Sequence, residues 1–239
     1  MTDVHEKWTV LPHGPLTQID GGILTVTGTL PMPLVQLERR MTVVRLSHGG
    51  SVISSAIALD EDEMQRIEAF GPPRYLIVPG DAHRVDAKVF KARYPAIRVI
   101  APPGARARIE KALPVDATEA DFGDPDVRFQ VADGTGGHEG VLLVRRAGGT
   151  TLVLNDLIGN LRRKEGFEGW LLHVMGFGGD GPEIPAVEKL LLVDNRARLR
   201  AQLLAWAGDP GLRRILMSHG EPIEHDPAGA LRAVAATLQ

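Results

Sequence analysis

Between Asp133 and Asn160 the chain reads D-G-T-G-G-H-E-G-V-L-L-V-R-R-A-G-G-T-T-L-V-L-N-D-L-I-G-N. Two apolar runs, Val141–Val144 and Thr151–Leu154, flank the charged, glycine-containing break Arg145–Gly149. Short β-branched and aliphatic runs around such a turn predict a β-hairpin. In a hairpin the start of the first strand and the end of the second lie at the same open end. His138, just before the first strand, and Asp156, just after the second, therefore reach one sheet edge. Imidazole and carboxylate are the ligand types of zinc and iron sites. They also have plainer uses, the first as a solvated loop residue and the second as a turn former or helix N-cap.

Composition narrows the class. The 239 residues suffice for one large domain, and 44% apolar with 24% charged residues suits a soluble globular chain. A net charge of −3 gives no electrostatic case for nucleic acid or an anionic membrane surface. No apolar run has the length of a membrane span, and the N-terminus M-T-D-V-H-E-K-W lacks a basic start followed by an apolar core. A cytoplasmic location is the expectation. There is no Cys, so any metal must be held by His, Asp or Glu.

Residues 8–54 are strand-like: W-T-V-L, I-L-T-V-T-G-T-L, M-T-V-V-R-L and S-V-I-S-S, broken by P-H-G-P, G-G, P-M-P and H-G-G. His48 reads as a turn residue. Asp60–Phe70 reads as a helix with acids in its first turn and Gly71-Pro72-Pro73 as its stop. The apolar strand Tyr75–Val78 is followed by P-G-D-A-H-R-V-D and a helix to about Tyr94. Strand Arg98–Ala101, helix Gly104–Leu113 and strand Val127–Val131 follow. Residues 159–186 mix glycine, proline and large apolar residues and read as partly helical, then loop. His173 there is expected to be structural, Leu161–Pro185 to lie over any site at Asp156, and Phe167, Trp170, Met175 and Phe177 to form an apolar wall, a subunit contact or core. Arg196–Trp206 is a helix, Arg214–Met217 a strand ending in S-H-G, and Pro227–Leu238 the last helix. Hairpins then α/β, twice, with no linker, predict one domain over residues 1–239, an α/β (α+β) arrangement of two mixed sheets with helices outside.

Three strands thus lead to candidate ligands: Tyr75–Val78 to Asp81, His83 and Asp86, the hairpin to His138 and Asp156, and Arg214–Met217 to His219. Loops at strand ends carry side chains into shared crevices.

With these residues in view, the chain resembles the metallo-β-lactamase-fold hydrolases over nearly its whole length. The resemblance rests on the opening hairpins, the strand–loop–helix at 75–94, G-G-H-E-G before a strand, N-D after the next, and S-H-G after the last. It implies an αββα sandwich and a site for zinc, iron or manganese. It assigns His138 to the first metal's ligands, Asp156 to the carboxylate that usually bridges two metals, and His219 to the second metal. The family's T-H-x-H-x-D-H loop is degenerate here, as P-G-D-A-H-R-V-D. Aligned on His83 as the second His, Asp81, Val85 and Asp86 stand where the first His, the Asp and the last His belong. Aligned on the strand end, Gly80 stands at the first His. The loop is similar to that of a divergent branch of the fold that reads P-N-x-x-H-H.

That resemblance implies a metal-dependent hydrolase with a reduced, mononuclear site. His138, Asp156, His219 and His83 would hold one divalent transition metal, and Asp156 and His83 would serve catalysis. The substrate would be a small molecule, with no nucleic acid or membrane partner, and a homo-oligomer is left open. The alternative is a non-catalytic binding or scaffold protein without metal, in which His138 and Asp156 pair with each other and His219 caps a turn. A nucleotide-binding reading is disfavoured, because G-T-G-G-H-E-G precedes a strand, whereas a phosphate loop follows one.

Overall fold

Alternating apolar positions along paired strands build two sheets. The computed structural model describes residues 4–32, 35–161, 166, 169 and 181–239. The first sheet has the order β1 (Thr17–Asp20), β2 (Ile23–Met32), β3 (Val35–Arg45), β4 (Ser51–Ser54), β5 (Pro73–Ile77) and β6 (Arg98–Ile100). β1 to β4 are antiparallel neighbours, whereas β4–β5 and β5–β6 are parallel. Parallel neighbours need crossover connections, supplied here by α1 (Glu61–Phe70) and α2 (Ala87–Arg93). The second sheet, β7 (Val127–Val131), β8 (Gly140–Arg146), β9 (Gly149–Val153) and β10 (Leu212–Leu216), is antiparallel except for β9–β10.

Period-two alternation sends successive side chains to opposite faces. Leu24 and Val43 face a core with Met64 and Ile67 of α1 and Phe90 of α2. Their neighbours Ile23 and Val44 face a second core with Leu142, Val144 and Val153 of the second sheet. On that sheet's outer face Val141, Leu152 and Ile215 meet α5 (Arg196–Ala207) and α6 (Pro227–Ala236) through Leu199, Trp206 and Leu231. Two short helices, α3 (Arg106–Ile109) and α4 (Ala186–Leu191), complete the described elements. The layers are helix, sheet, sheet, helix, and both sheets are mixed, as expected.

Local chemistry explains the helix ends. Asn195 accepts the Arg198 N–H at 3.0 Å at the start of α5. Asp226 does the same for Gly229 before α6, which has Pro227 in its first turn. α1 carries Glu61, Asp62 and Glu63 in its first turn, where the helix dipole favours acids.

Two expectations change. Residues 8–11 form no strand. Trp8 instead packs on Phe90 with ring centroids 5.1 Å apart and donates its indole N–H to the Leu59 carbonyl at 3.0 Å. Its β-propensity reflected side-chain burial, not a ladder. The helix expected over Gly104–Leu113 shrinks to Arg106–Ile109, with turns on either side of it; the Gly104 N–H bonds to the Gly137 carbonyl at 2.8 Å. His48 is in a turn, as expected, with Nε2 2.7 Å from the Phe122 carbonyl. His173, Phe167, Trp170, Met175 and Phe177 lie outside the described residues.

Candidate metal centre

The loops after β5, β9 and β10 converge. His83, Asp156 and His219 each present one ligand atom, all within 4.8 Å of one another. Both imidazoles address the same oxygen: Asp156 Oδ1 is 2.9 Å from His83 Nε2 and 3.1 Å from His219 Nε2. His83 and His219 are each 7% exposed. The far nitrogen of each ring is fixed in turn. His219 Nδ1 donates to the Glu38 carbonyl at 2.5 Å, and His83 Nδ1 shares a 2.8 Å hydrogen bond with the Ser55 hydroxyl.

Ser55 itself has φ 57°, in the left-handed region that a non-glycine residue enters at a cost of about 1–2 kcal/mol. Such strain tends to persist where surrounding structure enforces it. Here the Ser55 N–H bonds to the Ile77 carbonyl at 3.1 Å, and its hydroxyl meets His83.

Asp156 is positioned from below. Glu139, 1% exposed, accepts the N–H of Asn155 at 2.8 Å and those of Asp156 and Leu157 at 3.4 Å each. Asn155 then joins the two strand ends, accepting the Ser218 hydroxyl at 2.9 Å. The loop with His219 is tied to the other sheet by Arg40, which donates to the carbonyls of Met217 at 3.1 Å and Gly220 at 2.9 Å.

Charge follows from this packing. Burial disfavours an ionised Asp156, but the charges and hydrogen bonds of His83 and His219 outweigh it and hold its carboxyl well below the usual range. Burial likewise disfavours a charged His219, and the Asp156 hydrogen bond and charge overcome it, raising its pKa. Glu139 is pushed well up by burial and then by the charge of Asp156. Glu188, on α4, is raised to about 7 by burial and by Asp156.

The other sequence candidates stand elsewhere. The His138 ring is 41% exposed, with Nδ1 3.6 Å from Asp81 Oδ2, an oxygen that Arg108 also approaches at 3.1 Å. Positive φ at Gly136 and Gly137 makes the tight turn that leads to it. Asp86, 1% exposed, is bonded to Arg39, to His5 Nδ1 at 2.6 Å and to the Ala58 N–H at 3.2 Å. At Gly80 a β-carbon would lie 2.8 Å from Asn155 Nδ2, so a side chain there would require Asn155 to move. Segment 161–185, expected over the centre, lies mostly outside the described residues; near its ends Gly159 and Glu183 exchange hydrogen bonds of 2.9 and 3.1 Å. Sequence reasoning missed Ser55, the Glu38 carbonyl, Glu139 and Glu188. Glu139 alone had a signal, as a carboxylate inside G-G-H-E-G.

The donor set suits a metal ion. Two ligands each about 2.0–2.2 Å from one ion lie roughly 3.0–3.5 Å apart, near the observed separations. Imidazoles whose second nitrogen is fixed by a carbonyl or hydroxyl are the usual metal-binding form.

No protein-family model matches the sequence, and no curated protein does. Solved structures do match in shape. DIM-1 metallo-β-lactamase exposed to ceftazidime superposes with a TM-score of 0.65 at 13% identity, covering 97% of this chain and 100% of that one. A metallo-β-lactamase from Erythrobacter litoralis gives 0.63 at 15% identity, covering 93% and 96%. The mono-zinc form of FIM-1 from Pseudomonas aeruginosa gives 0.61 at 14% identity, covering 95% and 96%.

Proposed function

We propose that this chain, whose fold is the metallo-β-lactamase sandwich, is a metal-dependent hydrolase of a small molecule with a mononuclear centre. The observation that carries the reading is the shared Asp156 Oδ1, with two buried imidazoles aimed at it from different loops. His83, Asp156 and His219 would hold one zinc, iron or manganese ion and leave a position open. FIM-1 in its mono-zinc form is a precedent for one ion in this fold. Bound there, the ion would supply Lewis acidity and activate water at neutral pH.

The chain's own groups do the rest. Ser55 and the Glu38 carbonyl orient the rings. Glu139 holds the backbone that presents Asp156. Glu188 changes charge near neutrality within the field of the centre. We assign His138 to the rim, where with Asp81 and Arg108 it faces incoming substrate, and not to the three-ligand set. Among the described residues a second ion at this centre lacks ligands, since Asp86 is used elsewhere and Gly80 has no side chain. The working location is the cytoplasm. No helix of the described residues is long and apolar enough to cross a membrane.

A specific observation also favours a non-catalytic reading: the imidazoles and Asp156 satisfy one another without an ion. Elemental analysis of the wild type and Asp156→Ala separates the two. The hydrolase reading expects one equivalent at this centre, lost in the variant, and no β-lactam hydrolysis. No metal difference between the two proteins would leave the cluster as a structural clasp.

A further inference from the structure

A second group of potential ligands lies where the N-terminal segment crosses the start of α1. His13, Asp60 and Glu63 each offer one ligand atom, all within 4.8 Å of one another. His13 Nε2 is 3.8 Å from Asp60 Oδ2, and Nδ1 is 3.5 Å from Glu63 Oε2. Acids at a helix start are ordinarily caps or dipole partners. These are not used as caps. Asp60 occupies the N-cap position yet makes no side-chain capping bond. Glu63 Oε1 accepts the Leu16 N–H at 3.0 Å, while its Oε2 is sealed from solvent and has no hydrogen-bond partner. A buried carboxylate oxygen without a partner is costly unless a counter-charge satisfies it.

His13 is prepared in the same sense. Its Nδ1 donates to the Gly14 carbonyl at 2.8 Å, which leaves a lone pair on Nε2. A ligating imidazole fixed by a backbone carbonyl, beside a carboxylate whose other oxygen is hydrogen-bonded, is a recurrent metal-site arrangement. The segment does not wander: Gly14 N–H bonds to Thr27 O and Thr29 N–H to Pro12 O, each at 2.8 Å.

We propose that His13, Asp60 and Glu63 form a second divalent-cation site, separate from the centre at Asp156, that fastens the N-terminal segment to α1. One imidazole and two carboxylates suit zinc with a fourth position open to water. Calcium would want six or more oxygens. The open side is that of Asp60, whose side chain is 73% exposed.

The test is zinc titration of the full-length, tag-free, metal-free chain in the Asp156→Ala background, which removes the other centre. One equivalent is expected, with a rise in melting temperature. Adding Asp60→Asn and Glu63→Gln should abolish both. Glutamine keeps an oxygen for the Leu16 N–H, so the metal-free variant should melt where its parent does, and circular dichroism verifies that it folds. An Asp156→Ala chain that binds no zinc overturns the proposal. So does retention of that equivalent, or of the thermal shift, in the combined variant. The outcome is distinguishable from failure of the Asp156 centre. In that case Asp156→Ala would match the wild type, and the Asp60/Glu63 changes alone would remove all bound zinc.

Discussion

Asp156 is presented to the two histidines by Glu139, whose carboxyl accepts the Asp156 backbone N–H at 3.4 Å, along with those of Asn155 and Leu157 on either side. Removing it would leave three N–H groups of a buried turn without an acceptor. Glu139→Ala is therefore expected to destabilise the chain by roughly 2–4 kcal/mol. It should also weaken metal binding at Asp156 at temperatures where the fold survives. Denaturant unfolding with parallel metal titration measures both. Full stability in the variant would remove the positioning role.

Metal occupancy at the Asp156 centre should depend on pH through His219. Its pKa is raised above the ordinary 6.5, so protons compete with the ion from above that value downward. Affinity should fall by about tenfold per pH unit for each proton displaced. A flat affinity between about pH 8 and pH 6 would contradict this.

The metal-free chain should behave oppositely. The folded pKa of His219 lies above its unfolded one, so its contribution to stability is complete below the unfolded value and is lost as pH rises through the folded value. Asp156 has a depressed folded pKa, so its contribution is complete above the usual carboxylate range and is lost as pH falls through the folded value. The metal-free protein should melt highest in mildly acidic buffer and lower in alkaline buffer. Melting curves with and without a chelator check the contrast.

Asp86 supplies a control. It faces the guanidinium of Arg39, and the two side chains are 1% and 5% exposed. Asp86→Ala would leave a buried cation without its partner, at a cost of roughly 3–5 kcal/mol. The metal content of the Asp156 centre should not change. A lost equivalent in a folded Asp86→Ala protein would make Asp86 a ligand after all.

Glu188 should tune the centre only where it is ionised. With a pKa of about 7, it adds negative charge at higher pH and little below. Glu188→Gln is expected to weaken metal binding by roughly 3- to 10-fold in alkaline buffer, on the order of 1 kcal/mol. The two proteins should converge in acid. An equal deficit at every pH would point to lost packing instead.

Much of the architecture was legible because alternation is a local signal: Ile23 with Leu24 and Val43 with Val44 announce two buried faces without any knowledge of partners. Asp156 and His219 could be placed at strand ends for the same reason. The position of His138 could not, because its ring direction depends on Asp81 and on the glycine turn before it. Asp86 looked like a ligand by spacing, yet its partners Arg39 and His5 lie far away in sequence. Trp8–Leu11 misled because burial by one indole resembles strand propensity. Ser55 carried no signal at all, since a left-handed serine looks like any other serine in sequence.

The tie between His219 Nδ1 and the Glu38 carbonyl spans 181 positions of chain, and Arg40 reaches nearly as far to Gly220. A ribosome would release the sequence of His83 and Asp156 well before that of His219. The cluster therefore cannot assemble until β10 has docked onto β9, and any ion would be captured only after that step. Selectivity among metals would then be decided by what the folded sheet meets, because the separate loops do not bring the three ligands together.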